Sequence, residues 1–149
     1  MRGSGSTRAA LFAIAVLACG CGRQPDAGMA KSMLERGLCG AGTVVEFRIT
    51  DIRDVELMRV PAFLAGYEAK VSLSDDFRKL AARAEKTGGG NAPGTEAGGR
   101  ELLVRLAIAT NGRAVLLLGK GEVFAIRGTI TMIKPRKHPW TALGFGERR

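Results

Sequence analysis

Three cysteines, a single histidine and an adjacent pair of aspartates are the residues of this chain whose types could do chemistry. Cys19 and Cys21 stand one glycine apart at the end of an apolar run, and Cys39 lies between Leu38 and Gly40. A nucleophilic cysteine needs a positioned base beside it, and the sequence offers none, so these thiols read as sites of modification or cross-linking. His138 sits between Lys137 and Pro139 with no assignable carboxylate or nucleophile partner, which makes it a solvated loop residue. Asp75 and Asp76 follow Ser74 directly, a pattern that suits the start of a helix, where negative charge is favourable. Three cysteines with one distant histidine lack the ligand spacing of a metal site. Gly88-Gly89-Gly90 lacks the Lys-Ser/Thr that completes a phosphate loop. The reading is of a non-enzymatic protein with no cofactor and no metal.

The cysteines are explained by what precedes them. Arg2 and Arg8 make a positive start, and Ala9 to Ala18 is unbroken apolar sequence. That run rises only ~15 Å as a helix, about half the hydrocarbon thickness of a bilayer, so it is too short to span one. A basic segment followed by a short apolar one is the layout of a secretory signal peptide. Its end, Val16-Leu17-Ala18-Cys19, resembles the lipobox of bacterial lipoproteins, with Leu17 where a smaller residue is commoner. The resemblance implies cleavage before Cys19, a diacylglycerol on its sulfur and an acylated new amino terminus. It also implies an outer-membrane destination, because Gly20 stands where an aspartate would signal retention in the inner membrane. Cys21 is the rival acceptor, with a poorer upstream match. Ordinary cleavage after Ala13-Ile14-Ala15 or near Ala18 would instead release a soluble protein. The expected location is the periplasmic face of the outer membrane, with the membrane as one partner through the lipid anchor. An envelope protein or polymer is the other, and nucleic acid is not a partner.

The chain has 149 residues, 46% hydrophobic and 25% charged, which suits one globular domain. Aromatics make up only 5%, so the core must be aliphatic. The net charge of +9 favours anionic partners, although such a balance is also common in proteins that bind none.

These totals divide into a signal peptide over 1–18, a tether over 19–30, a single domain over 31–143 and a basic tail over 144–149. The tether GCGRQPDAGMA, rich in glycine, reaches ~40 Å when extended. Lys31 to Leu38 reads as a short amphipathic helix stopped by glycine. Val45 to Thr50 and Tyr67 to Leu73 alternate apolar and polar residues and read as strands, with Val55 to Val60 a weaker one. Ser74 is the expected N-cap of a helix through Phe77, Leu80, Ala81 and Ala84. Residues 87–99, with six glycines, read as a disordered loop whose removal would cost little stability. Glu101 to Thr110 alternates Leu102, Val104, Leu106 and Ile108 and reads as a strand. Asn111-Gly112 then reads as a hairpin turn, Ala114 to Leu118 as the return strand and Val123 to Ile133 as the last one, with a bulge at Gly128. The fold class is α+β, a short N-terminal helix packed on an antiparallel meander sheet in a cystatin-like or NTF2-like shape, the alternative being a small β-barrel.

The segment Gly119-Lys120-Gly121-Glu122-Val123-Phe124, then Gly128-Thr129, Lys134 and Trp140, resembles the last hairpin of a group of small bacterial envelope lipoproteins with no established activity. The pattern departs after Lys134, where Pro135-Arg136-Lys137-His138-Pro139 inserts one extra residue before Trp140. The resemblance implies nothing catalytic. From Lys134 onward there are five basic residues and one acidic, interleaved with Trp140 and Phe145. Lys134, Arg136, Lys137 and Trp140 are therefore the candidate contacts to an anionic surface, against a packed Trp140 at a solvated chain end. A small-ligand pocket on the concave side of the sheet, lined by Tyr67 and Phe124, is the alternative binding mode. With Cys19 lipidated, Cys21 and Cys39 form the candidate disulfide pair of an oxidising compartment; the alternative is Cys39 as a small buried apolar residue.

Overall fold

The computed structural model describes residues 24–57, 59–88 and 91–148. Three helices and a four-stranded antiparallel sheet follow the order α1 (Ala27–Leu38), β1 (Gly42–Leu57), β2 (Val60–Leu73), α2 (Phe77–Lys86), α3 (Glu96–Asn111), β3 (Val123–Ile133) and β4 (Thr141–Glu147). A 3-10 turn over Gly112–Leu117 joins α3 to the segment before β3. The strands lie in the order β1-β2-β3-β4, with β1 and β4 at unpaired edges. The fold is thus α+β with an open meander, and the barrel alternative is excluded because the sheet does not close.

The three helices cover one face of the sheet. Phe63, Ala65, Tyr67, Ala69, Val71 and Leu73 point into that layer from β2, and Phe124, Ile126, Ile130 and Met132 from β3. This is the period-two alternation of a half-buried strand. Register shifts in β1 between Val44 and Glu46 and between Ile49 and Asp51 keep Val44, Phe47, Ile49 and Ile52 on the core side. Tyr67 pairs with Gly128, whose missing side chain leaves room for the Tyr67 ring and hydroxyl. The β2–β3 register runs unbroken through Gly128, so the expected bulge there is absent; the irregularity lies in the β3–β4 pairing, where Leu143 of β4 is the extra residue opposite Thr131 and Met132.

Helix α1 starts earlier than its apolar spacing suggests. The Asp26 carboxylate accepts from the Met29 N–H at 2.8 Å and caps the first turn, which draws Ala27 to Ala30 out of the tether. The helix ends at Cys39, in the left-handed region at φ 46°, whose N–H donates to the Glu35 carbonyl. Helix α2 begins two residues later than Ser74 capping would place it. Its N-cap position is Asp76, without a side-chain cap, while the Ser74 hydroxyl donates to the Ala41 carbonyl at 2.7 Å.

The largest correction concerns residues 96–118. The segment read as glycine loop, strand, turn and strand is one helix followed by a 3-10 turn. The Thr95 hydroxyl accepts from the Gly98 N–H at 3.0 Å, which caps α3 within the glycine-rich stretch. Leu102, Leu103, Leu106 and Ala107 are buried together, the i, i+1, i+4, i+5 stripe of a helix rather than the alternation of a strand. Asn111-Gly112 closes the helix instead of turning a hairpin. The Asn111 amide donates to the Ala107 and Ala125 carbonyls, and Gly112 takes φ 62°. Gly98 and Gly99 are both buried: Gly99 lies against the Leu38 carbonyl where α3 crosses the end of α1, and Gly98 lies against the Ala92 carbonyl of the turn that leads into α3. They are packing residues, so the disordered loop expected over 87–99 does not extend through Gly99. The basic tail is corrected likewise: residues 144–147 belong to β4, paired with β3, and Phe145 packs beside the core.

Candidate interaction surface

The face of the sheet opposite the helices is uncovered among the described residues, and the strand register writes a charge pattern across it. Glu46 lies opposite Lys70 and Arg48 opposite Glu68, which in turn lies opposite Arg127. These partners form ion pairs: Lys70 Nζ to Glu46 Oε2 at 2.8 Å, Arg127 Nε to Glu68 Oε1 at 3.3 Å, and Arg48 to the other Glu68 oxygen. Directly facing opposite charges are the favourable cross-strand combination. Arg148, just beyond β4, reaches over Gly66 to the Asp51 carboxylate at 3.1 Å and to the Thr50 hydroxyl. A side chain at position 66 would collide with Asp51, so glycine there is what opens the path. Exposed pairs of this kind contribute little stability singly. Their consequence is a fixed, alternating arrangement of donors and acceptors that a partner surface can match.

The Arg48 hydrogen bond, with the Arg127 and Arg148 charges behind it, holds the Glu68 carboxyl below the ordinary glutamate range. A depressed carboxylate contributes stability that is complete above its unfolded pKa and is lost as the pH falls through the lower folded value. The melting temperature should therefore fall on acidification below the ordinary carboxylate range. Glu68→Gln should show a shallower fall than the wild type, and superimposable acid limbs would remove Glu68 from the network.

At the end of the sheet where β1 meets β2, the same face changes character. Leu57 pairs with Val60, Val55 with Ala62, and Ala62 with Ile133, all on the uncovered side. The β3–β4 loop projects from this end and carries Lys134, Arg136 and Lys137, all exposed. Trp140 closes the loop and is only 9% exposed, its ring edge-on to Phe63 at 5.3 Å between centroids. Of the four candidate anionic-surface contacts, three are thus on the surface and the tryptophan anchors the loop from inside. Met29, Ser32 and Arg36 of α1 line one depression with Pro139 and Trp140, so the start of α1 and this loop are neighbours.

The remaining candidates separate. Cys19 and Cys21 lie outside the described residues. Cys39 is exposed at the end of α1, not the buried apolar residue considered above, and has no disulfide partner among the described residues. Asp75 and Asp76 pair with Lys79, and Asp75 also with Arg83. Asp76 accepts from the Lys120 N–H at 3.1 Å, and that bond is the main reason its carboxyl is held below the ordinary aspartate range. The pair ties α2 to the turn before β3 and faces no cleft chemistry. His138 is exposed, its N–H donating to the Pro135 carbonyl. Tyr67 and Phe124 are both packed in the core; burial raises the Tyr67 hydroxyl pKa, and that hydroxyl has no hydrogen-bond partner among the described residues. No group of three His, Cys, Asp or Glu side chains converges on a metal position among the described residues.

The charge lattice was missed from sequence although its members are visible there as Glu46-x-Arg48, Glu68-x-Lys70 and Arg127. Their signs become complementary only through the register. Comparison with protein families, with curated proteins and with solved structures finds no match to this chain.

Proposed function

We propose that the chain is an envelope lipoprotein, acylated at Cys19 and held at a membrane, whose domain is a non-enzymatic module for binding an envelope protein or polymer. The observation that carries this reading is the run from Arg8 through the apolar Ala9–Ala18 to Val16-Leu17-Ala18-Cys19. Gly20 after the cysteine favours the periplasmic face of the outer membrane. The uncovered sheet face is the natural partner surface, since its ion pairs stand ready to exchange for intermolecular ones. Packing of Tyr67 and Phe124 into the core argues against the small-ligand alternative. No described helix is long and apolar enough to cross a membrane.

The test is metabolic labelling with palmitate in a lipoprotein-processing host. Cys19→Ser should lose the label and accumulate as unprocessed precursor, whereas Cys21→Ser should keep both labelling and processing. Incorporation of palmitate into Cys19→Ser would overturn the assignment.

A further inference from the structure

We infer that the end of the domain formed by the β1–β2 hairpin and the β3–β4 loop lies against the anionic phospholipid surface to which the chain is anchored. The inference rests on acylation at Cys19 and goes beyond it, because an anchor alone leaves the orientation of the domain open.

Three observations carry it. The first is chain length. Helix α1 is already capped at Asp26, so the stretch from Cys19 to Asp26 spans no more than ~25 Å even fully extended. This is well short of the ~40 Å that a tether running to residue 30 would allow. The start of α1, and whatever surrounds it, is thereby kept close to the lipid.

The second is what surrounds it. Gly28 and Met29 share a depression of about 350 Å³ with Pro139 and Trp140, which places the β3–β4 loop beside the point where the tether arrives. The strand register sets the same end for the β1–β2 hairpin: Ala62 lies opposite Ile133, the last residue of β3 before the loop, and Leu57–Val60 extends beyond it. The opposite end, where Ser72 meets Val123, carries the Gly119–Glu122 turn and lies the length of the sheet away.

The third is chemistry. Lys134, Arg136 and Lys137 are exposed within one loop that contains no acidic residue. Next to them the uncovered face presents Leu57, Val60 and Ile133, aliphatic side chains at least partly open to solvent. On the hairpin, exposed Asp54 and Glu56 are balanced by exposed Arg53 and Arg59, so the loop supplies the net positive charge of this end. Cations beside exposed aliphatic side chains match a headgroup layer over its acyl boundary, whereas the balanced ion pairs further along the sheet do not. One end thus meets lipid, and the lattice of Glu46, Lys70, Glu68 and Arg127 is held away from it, free for a partner.

Trp140 is the single tryptophan of the chain, at the base of the loop, and serves as an intrinsic reporter. The full chain would be purified in its processed form, its mass read for acylation at Cys19, and then reconstituted into two kinds of vesicle. One is phosphatidylcholine alone, the other phosphatidylcholine mixed with phosphatidylglycerol, and both contain lipid with a nitroxide-bearing headgroup that quenches nearby indole fluorescence. Quenching should be stronger in the anionic vesicles and should fall with added salt. Changing Lys134, Arg136 and Lys137 together to glutamine should weaken docking by about fivefold for each cation removed and bring the anionic result down to the neutral one. These substitutions are on an exposed loop and leave the fold intact, which an unchanged melting temperature would verify. An acylated chain quenched equally in both vesicles, or a triple variant quenched as strongly as the wild type, would overturn the orientation while leaving the anchor standing. A chain unmodified at Cys19 would overturn the anchor and the orientation with it.

Discussion

Gly99→Ala is expected to destabilise the domain by ~3 kcal/mol or more, lowering the melting temperature by roughly 10 °C or more. Two effects oppose each other at this position. Within a helix alanine is favoured over glycine by about 1 kcal/mol, so propensity alone predicts a more stable protein. The added Cβ, however, overlaps the carbonyl of Leu38 and comes within 3.0 Å of the Cys39 Cβ. Those atoms belong to the end of α1, whose last turn is fixed by the left-handed cap at Cys39, so they cannot move aside as a flexible side chain would. Relief requires α3 to shift away from α1 and to carry Leu102, Leu103 and Leu106 with it. Gly144→Ala is the control: nothing lies within 4 Å of its Cβ position, and the change should stay within ~0.5 kcal/mol. Thermal or urea unfolding of both variants decides the matter. Stabilisation by Gly99→Ala would mean that propensity wins and that the two helices do not meet there.

Leu103→Ala should cost ~3 kcal/mol, whereas Ile108→Ala, five positions along, should cost under ~1 kcal/mol. The contrast separates the two structures that this stretch of sequence can be read as. In a strand, Leu102, Val104, Leu106 and Ile108 share the buried face and Leu103 faces solvent. In α3, Leu103 is fully buried among Leu102, Leu106 and the sheet, and Ile108 is 43% exposed. Deleting the Leu103 side chain removes apolar contacts and leaves a cavity that helix and sheet close only partly. Truncating Ile108 removes little packing and gains helix propensity. Urea midpoints at unchanged m-value would report the two costs. The opposite ranking, with Ile108 the sensitive position, would restore the strand.

Sequence alone determined the features that depend on near neighbours in the chain. Period-two alternation in Tyr67–Leu73 and Val123–Ile133 is dictated by the pleat, and the buried residues read from it are buried in the structure. The antiparallel α+β class followed from those strands, although the connection between them holds α3 and a 3-10 turn after α2 rather than the further strands expected. The apolar run before Val16-Leu17-Ala18-Cys19 is local in the same sense, because it is read along the chain rather than against a folded surface. Tertiary structure alone decided the rest. Glu101 to Thr110 carries both a helical and an alternating pattern, and only the cap at Thr95 with α1 and β3 on either side selects the helix. Gly99 looks the same in a linker as in a close crossing, and what distinguishes it is the Leu38 backbone, far away in the chain. Glu46, Lys70, Glu68 and Arg127 are scattered charges until two strand pairings bring them face to face. Arg148 finds Asp51 only because Gly66 leaves the sheet surface bare between them. The physical reason is the same in each case: alternation and capping are set within a few residues, whereas burial and charge pairing depend on atoms that folding alone brings within reach.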